Sequence, residues 1–228
     1  MKKYFLALGA AALFSAPASA AIVSGALTGG SAFNNGGVFQ EFTPTTVGNN
    51  NQQSNNLFAF TENDAVLSSA ITPDFGSVLI AGRRYQSHFV FFDPRSSRSA
   101  IGSVTFDRDI LAVLTSDANM NASDADFGLA GVTYLTPSLR GLENADSFGV
   151  AGNTVSINFA ASTPGDYIRV LTGVPEPTTW AMLIFGFGAV GGAMRRAKKT
   201  KCARPLRIAK DQNYSFIRAG GSRLPARS

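Results

Sequence analysis

Cysteine and histidine are almost missing from this chain of 228 residues, which holds one of each, Cys202 and His88. A disulfide scaffold is therefore excluded, and a structural zinc, which needs about four ligands, cannot be built from two. Any Ser/His/Asp scheme would have to run through His88, with Asp93 or Asp74 as orienter. No G-x-S-x-G elbow marks a nucleophile, so the catalytic set is read as empty and no cofactor is expected. No fixed-period repeat is present, which removes a solenoid, and no segment carries a helical apolar stripe through three turns. Lysine is absent between Ala21 and Gly173. That stretch has seven arginines against thirteen carboxylates, a net −6, inside a chain of formal charge +5 and pI about 9.6. The basic average comes from Lys2 and Lys3 and from the segment after Met194, where eleven Lys and Arg face Asp211. An acidic body between basic ends records topology and not nucleic-acid binding, for which no module or aromatic interleaving is present.

The two ends read as targeting segments. MKKYFLALGAAALFSAPASA has a positive start, an apolar run from Tyr4 to Phe14, and Ala18 and Ala20 in an A-x-A arrangement. This predicts a signal peptide over 1–20, cut by signal peptidase between Ala20 and Ala21. Its apolar run is too short to span a bilayer. Toward the other end, Thr178 to Met194 is uncharged and is followed by Arg195, Arg196, Lys198, Lys199 and Lys201. A helix over 178–194 would be about 25 Å long, enough for one membrane crossing with interfacial anchors. Trp180 suits the outer interface, and the basic cluster reads as a stop-transfer signal held on the cytoplasmic side.

Val174-Pro175-Glu176-Pro177, then Trp180-Ala181, then Gly186-Phe187-Gly188, Gly191 and Arg195-Arg196, resembles the PEP-CTERM sorting signal in its PEPxxWA form. The resemblance covers 174–196. It implies a C-terminal tag on an exported protein of a Gram-negative bacterium, handled by a membrane-embedded exosortase and associated with exopolysaccharide production. The same tag is also labelled an ice-binding protein C-terminal domain, a name that implies no ice binding by the body. Pro175 and Pro177 fix φ at two positions and keep Glu176 out of a helix, which leaves an extended peptide for a processing enzyme. Gly188 and Gly192 are spaced G-x-x-x-G; they suit close approach of a partner helix or have no partner. Family members stop soon after the Arg pair, whereas this chain continues with a basic segment over 197–228. That segment is either a genuine disordered tail drawn to anionic lipid or the product of a shifted reading frame.

The body, 21–173, alternates in polarity over short runs: Val104 and Phe106 against Ser103 and Thr105; Val155, Ile157 and Phe159 against Ser156 and Asn158; Ile168 and Val170 against Arg169. Further strands are expected at 38–42, 57–61, 77–81, 85–92, 110–115 and 132–135, punctuated by Gly and Pro. An all-β, antiparallel β-sandwich follows, with a jelly roll as one form of it. The Gly- and Asn-rich stretch 29–56 is expected to form loops. Asp74-Phe75-Gly76, Ser87 to Pro94 and Pro164 to Tyr167 resemble the β-rich bodies carried by PEP-CTERM proteins, a likeness that implies fold and no activity.

Chemistry in the body is sparse. Asp107, Asp109, Asp117, Asp124, Asp126, Glu143 and Asp146 supply carboxylates for glycoside hydrolysis, but spacing pairs none of them. Asp117, Asn119 and Asn121 match the first three oxygen ligands of an EF-hand loop, yet Ala122 and Gly128 stand where Gly and Glu belong. The run is read as a polar turn. The leading expectation is an exported, membrane-anchored, non-enzymatic surface or extracellular-matrix protein, body outside and C-terminus inside, released after processing. Alternatives are a carbohydrate-binding or adhesive module using Tyr85, Tyr134 and Tyr167, and a hydrolase dependent on His88.

Overall fold

The computed structural model describes residues 20–136, 138, 140–174, 186–192 and 194. Residues divide into two compact units at Thr178/Thr179. In the first, strands dominate and pair mostly antiparallel. A four-stranded sheet combines β1 (Ile22–Gly29), β7 (Arg98–Phe106), β11 (Thr154–Ala161) and β10 (Ser147–Ala151), in that order. A six-stranded sheet has the order β2 (Phe39–Glu41), β4 (Leu57–Val66), β6 (Arg84–Phe92), β12 (Asp166–Gly173), β8 (Ile110–Leu114), β5 (Phe75–Gly76). Two short pairs are parallel: β2 with β4, and β3 (Thr46–Val47) with β9 (Thr133–Tyr134).

The alternation in β11 produces a strand buried at every second residue, Val155, Ile157, Phe159 and Ala161. Its hairpin to β10 closes through Gly152-Asn153, with Ala151 opposite Thr154 and φ +60° at Gly152. Glycine at the first turn position suits the twist of a two-residue hairpin. Apolar side chains of this sheet meet Leu57, Ala59, Val90, Phe92, Val113, Ile168 and Val170 of the six-stranded sheet in one core cluster.

The other face of the six-stranded sheet is buried too. Phe58, Phe60, Phe89, Phe91, Tyr167 and Leu171 pack with Met120 and Phe127 of an α-helix, α2 (Asp117–Phe127), with Val47 of β3, and with Leu67, Ile71 and Leu79 from connecting segments. β12 is therefore buried from Asp166 to Thr172, and Arg169, expected on an outer face, is completely enclosed. Strands buried on both faces lose the alternation of a half-buried strand.

Several expectations are corrected. The run 117–126 is helix and not a turn. Residues 77–81 form no strand beyond an isolated bridge between Ile71 and Leu79. The stretch 29–56 contains, besides β2 at the expected 38–42, a five-residue helix, α1 (Gly30–Asn34), and β3. β1 and β10 were not foreseen. In the second unit, residues 186–192 and 194 are helical. Among the described residues no helix is long and apolar enough to cross a membrane.

Candidate functional site

A buried cluster of charge lies between the six-stranded sheet and α2. Arg169 Nε donates to Glu62 Oε2 at 2.7 Å and Nη2 donates to Oε1 at 2.8 Å. Nη2 also donates to Asp124 Oδ1, and Nη1 to the Met120 carbonyl and Ser123 Oγ. All five N–H donors of this guanidinium are thus engaged. Burial favours loss of its proton, but Glu62 and Asp124 outweigh that and hold it firmly charged. Ser87 Oγ donates to Glu62 Oε2 at 2.5 Å. Arg140, also buried, closes on Asp124 through Nη1 at 2.6 Å and Nη2 at 2.9 Å, and donates to Asn121 Oδ1. Both guanidinium carbons lie between 5.4 and 5.9 Å from the ring centres of Phe89 and Tyr134. Two arginines against two carboxylates make the cluster neutral, and its bonds are spent on strand and helix, so its chemistry is structural.

His88 is fully buried on β6 with its ring 4.5 Å from that of Phe106. Its Nδ1 lies 3.2 Å from Thr61 Oγ1 and its Nε2 lies 3.2 Å from Thr172 Oγ1. Burial pulls its pKa down to about 4, against a smaller opposing pull from Asp107. A neutral imidazole held between two hydroxyls has neither a carboxylate orienter nor a solvent-facing nitrogen. Asp93, one orienter considered for it, instead accepts the Gln52 N–H at 2.9 Å, beneath the Asn-rich loop. Burial pushes its carboxyl up, opposed by hydrogen bonds from Gln52, Asn51, Tyr167 and Asn50. Asp74, the other, accepts from Thr115 N, Ser116 N and Asn119 Nδ2 at 2.7, 3.0 and 3.1 Å. It holds the segment leading into α2, whose N-cap residue Ser116 makes no side-chain cap bond of its own.

The three oxygen ligands suspected in 117–126 point to different partners. Asp117 Oδ1 accepts the Gly141 N–H, Asn119 donates to the Thr72 carbonyl and Asp74, and Asn121 accepts from Arg140. The tyrosines considered for glycan stacking are inside: Tyr85 is 6% exposed and Tyr167 0%. Tyr134 is half-buried, and its hydroxyl accepts the Leu129 N–H at 3.0 Å. Of the carboxylates considered for pairing, Glu143 and Asp146 do come together, joined by Asp166. Asp107 accepts the Ala21 N–H at 2.9 Å, and Asp126 takes two bonds from Ser68. Sequence reasoning missed Glu62 and Asp166. Neither carries a local signal, because the groups they meet come from distant segments.

At the C-terminal side of the body, β12 ends at Gly173 and Val174 follows without a linker. Ala18, Pro175, Glu176, Pro177, Trp180, Ala181, Arg195, Arg196, Lys198 and Lys199 lie outside the described residues, as do 197–228. Gly186, Gly188, Gly191 and Gly192 are helical and exposed. Ala20 is buried and Ala21 exposed. Neither the curated proteins nor the solved structures contain a match to this chain. Residues 173–199 match the family model described as the PEP-CTERM protein-sorting motif. The chain thus carries a PEP-CTERM sorting motif whose match begins at the last residue of β12, and with it the mark of a substrate for an exosortase-type membrane enzyme.

Proposed function

We propose that this is an exported, membrane-anchored, non-enzymatic protein whose β-sandwich body is delivered to the cell surface or extracellular matrix after an exosortase acts near Pro175-Glu176-Pro177. The match at 173–199, directly behind the folded body, carries this reading. The helix over 178–194 anchors the precursor with the basic residues inside and the acidic body outside. Support for a body without catalysis comes from His88, buried and neutral between two threonines, and from the guanidinium of Arg169, whose donors are all engaged. Export by signal peptidase cleavage between Ala20 and Ala21 suits the position of Asp107: the new ammonium of Ala21 would lie beside that carboxylate.

The test replaces Pro175, Glu176 and Pro177 with alanine in a host that has the processing enzyme. The parent should yield a shortened mature mass and release from the membrane fraction, and the variant should remain as full-length precursor. Identical mass and fractionation for the two would remove the sorting claim.

A further inference from the structure

We propose that Glu143, Asp146 and Asp166 form a binding site for a divalent cation of the calcium type, which pins the two sheets together at one end of the body. One carboxylate oxygen from each lies within 4.8 Å of the others. Calcium binds carboxylate oxygens at about 2.4 Å, so two oxygens sharing one ion stand no more than about 5 Å apart. The three groups can therefore share a centre without backbone movement.

The site is built, and not merely crowded. Asp166 is 1% exposed, and its Oδ2 has no hydrogen-bond partner. A buried carboxylate oxygen without a donor is costly unless another group compensates it. None of the ion pairs formed among the described residues involves these three acids. Asp146 is held in place by two backbone donors, with Oδ1 accepting the Ala160 N–H at 2.7 Å and Oδ2 the Glu143 N–H at 2.8 Å. Glu143 is exposed, so the cluster is reachable from solvent.

The location gives the ion a task. Asp146 immediately precedes β10 of the four-stranded sheet, and Asp166 is the first residue of β12 in the six-stranded sheet. Ile168 and Val170, on the same side of β12 as Asp166, belong to the core between the sheets. The cation would tie the two layers at the rim of that core. With three carboxylates and otherwise water as ligands, the affinity belongs to the class of extracellular modules, roughly 10⁻⁴–10⁻³ M.

The experiment uses the full chain in detergent, stripped with a chelator and titrated with calcium chloride, read by thermal unfolding and by calorimetry. Millimolar calcium should raise Tm by several degrees with saturable heat of about one ion per chain. Glu143→Gln, at an exposed position that leaves folding intact, should weaken binding about tenfold. Asp166→Asn, which keeps the size of the buried side chain and removes a carboxylate ligand, should abolish the calcium response. Absence of any saturable heat or Tm shift in the parent overturns the site. So does a calcium response that both variants keep unchanged.

Discussion

Glu62 and Arg169, 107 residues apart in sequence, meet in a two-point ion pair whose side chains are both 0% exposed, at 2.7 and 2.8 Å. The pair fastens β4 to β12 across β6, and through Met120, Ser123 and Asp124 it fastens the sheet to α2. Removing one partner leaves an enclosed charge with nothing opposite it. Arg169→Met or Glu62→Gln is expected to destabilise the fold by about 3–5 kcal/mol in urea unfolding, whereas replacing both by Met should cost clearly less than the sum. Additive losses would show that the two act separately.

His88 makes stability depend on pH with a definite sign. Its folded pKa of about 4 lies below the ordinary 6.5, so the unfolded chain takes up the proton first. The stabilisation is fully present above pH 6.5 and is lost as pH falls toward 4, in total about 3 kcal/mol. Unfolding midpoints measured from pH 7 to 4 should fall more steeply in the parent than in His88→Gln. Equal slopes would locate the effect elsewhere.

Asp74 fastens the segment that enters α2. Burial pushes its carboxyl up, but the bonds from Thr115, Asn119 and Ser116 prevail and hold it below the usual carboxylate range. Its contribution is therefore present above about pH 4 and is lost as pH falls through its lowered folded value. Asp74→Ala should cost about 1–2 kcal/mol, with Asp74→Asn retaining part of it. Amide exchange should report the loss first in residues 115–120. Loss spread evenly over the whole body would contradict a local role.

The sorting information should be portable. Residues 174–201 appended to an unrelated exported domain should give it membrane retention followed by mass loss in a host with the processing enzyme. A fusion that is never shortened there, while the parent is, would place part of the signal in the body.

The sequence made the motif behind Gly173 and the alternating strands plain, because both are local patterns. β11 is legible residue by residue, since one of its faces is buried and the other is wet. β12 misleads for the opposite reason: with sheet on one side and helix on the other, Arg169 sits where an outward polar residue would be inferred. α2 shows no stripe because only Met120, Ser123 and Phe127 are buried, and the middle one is polar. Asp166 and Glu62 could not be picked out because their partners come from distant segments. Pairing of that kind has no local signature.

The place of β12 also sets an order of events. β6 and β8 are neighbours only through β12, which hydrogen-bonds to both. A chain delivered from its N-terminal end presents those two strands long before the one that joins them. The six-stranded sheet therefore stays split until Gly173 has emerged, two residues ahead of Pro175. Completion of the body and arrival of the sorting signal are nearly the same moment, so a processing enzyme that waits for the motif acts on a body able to close.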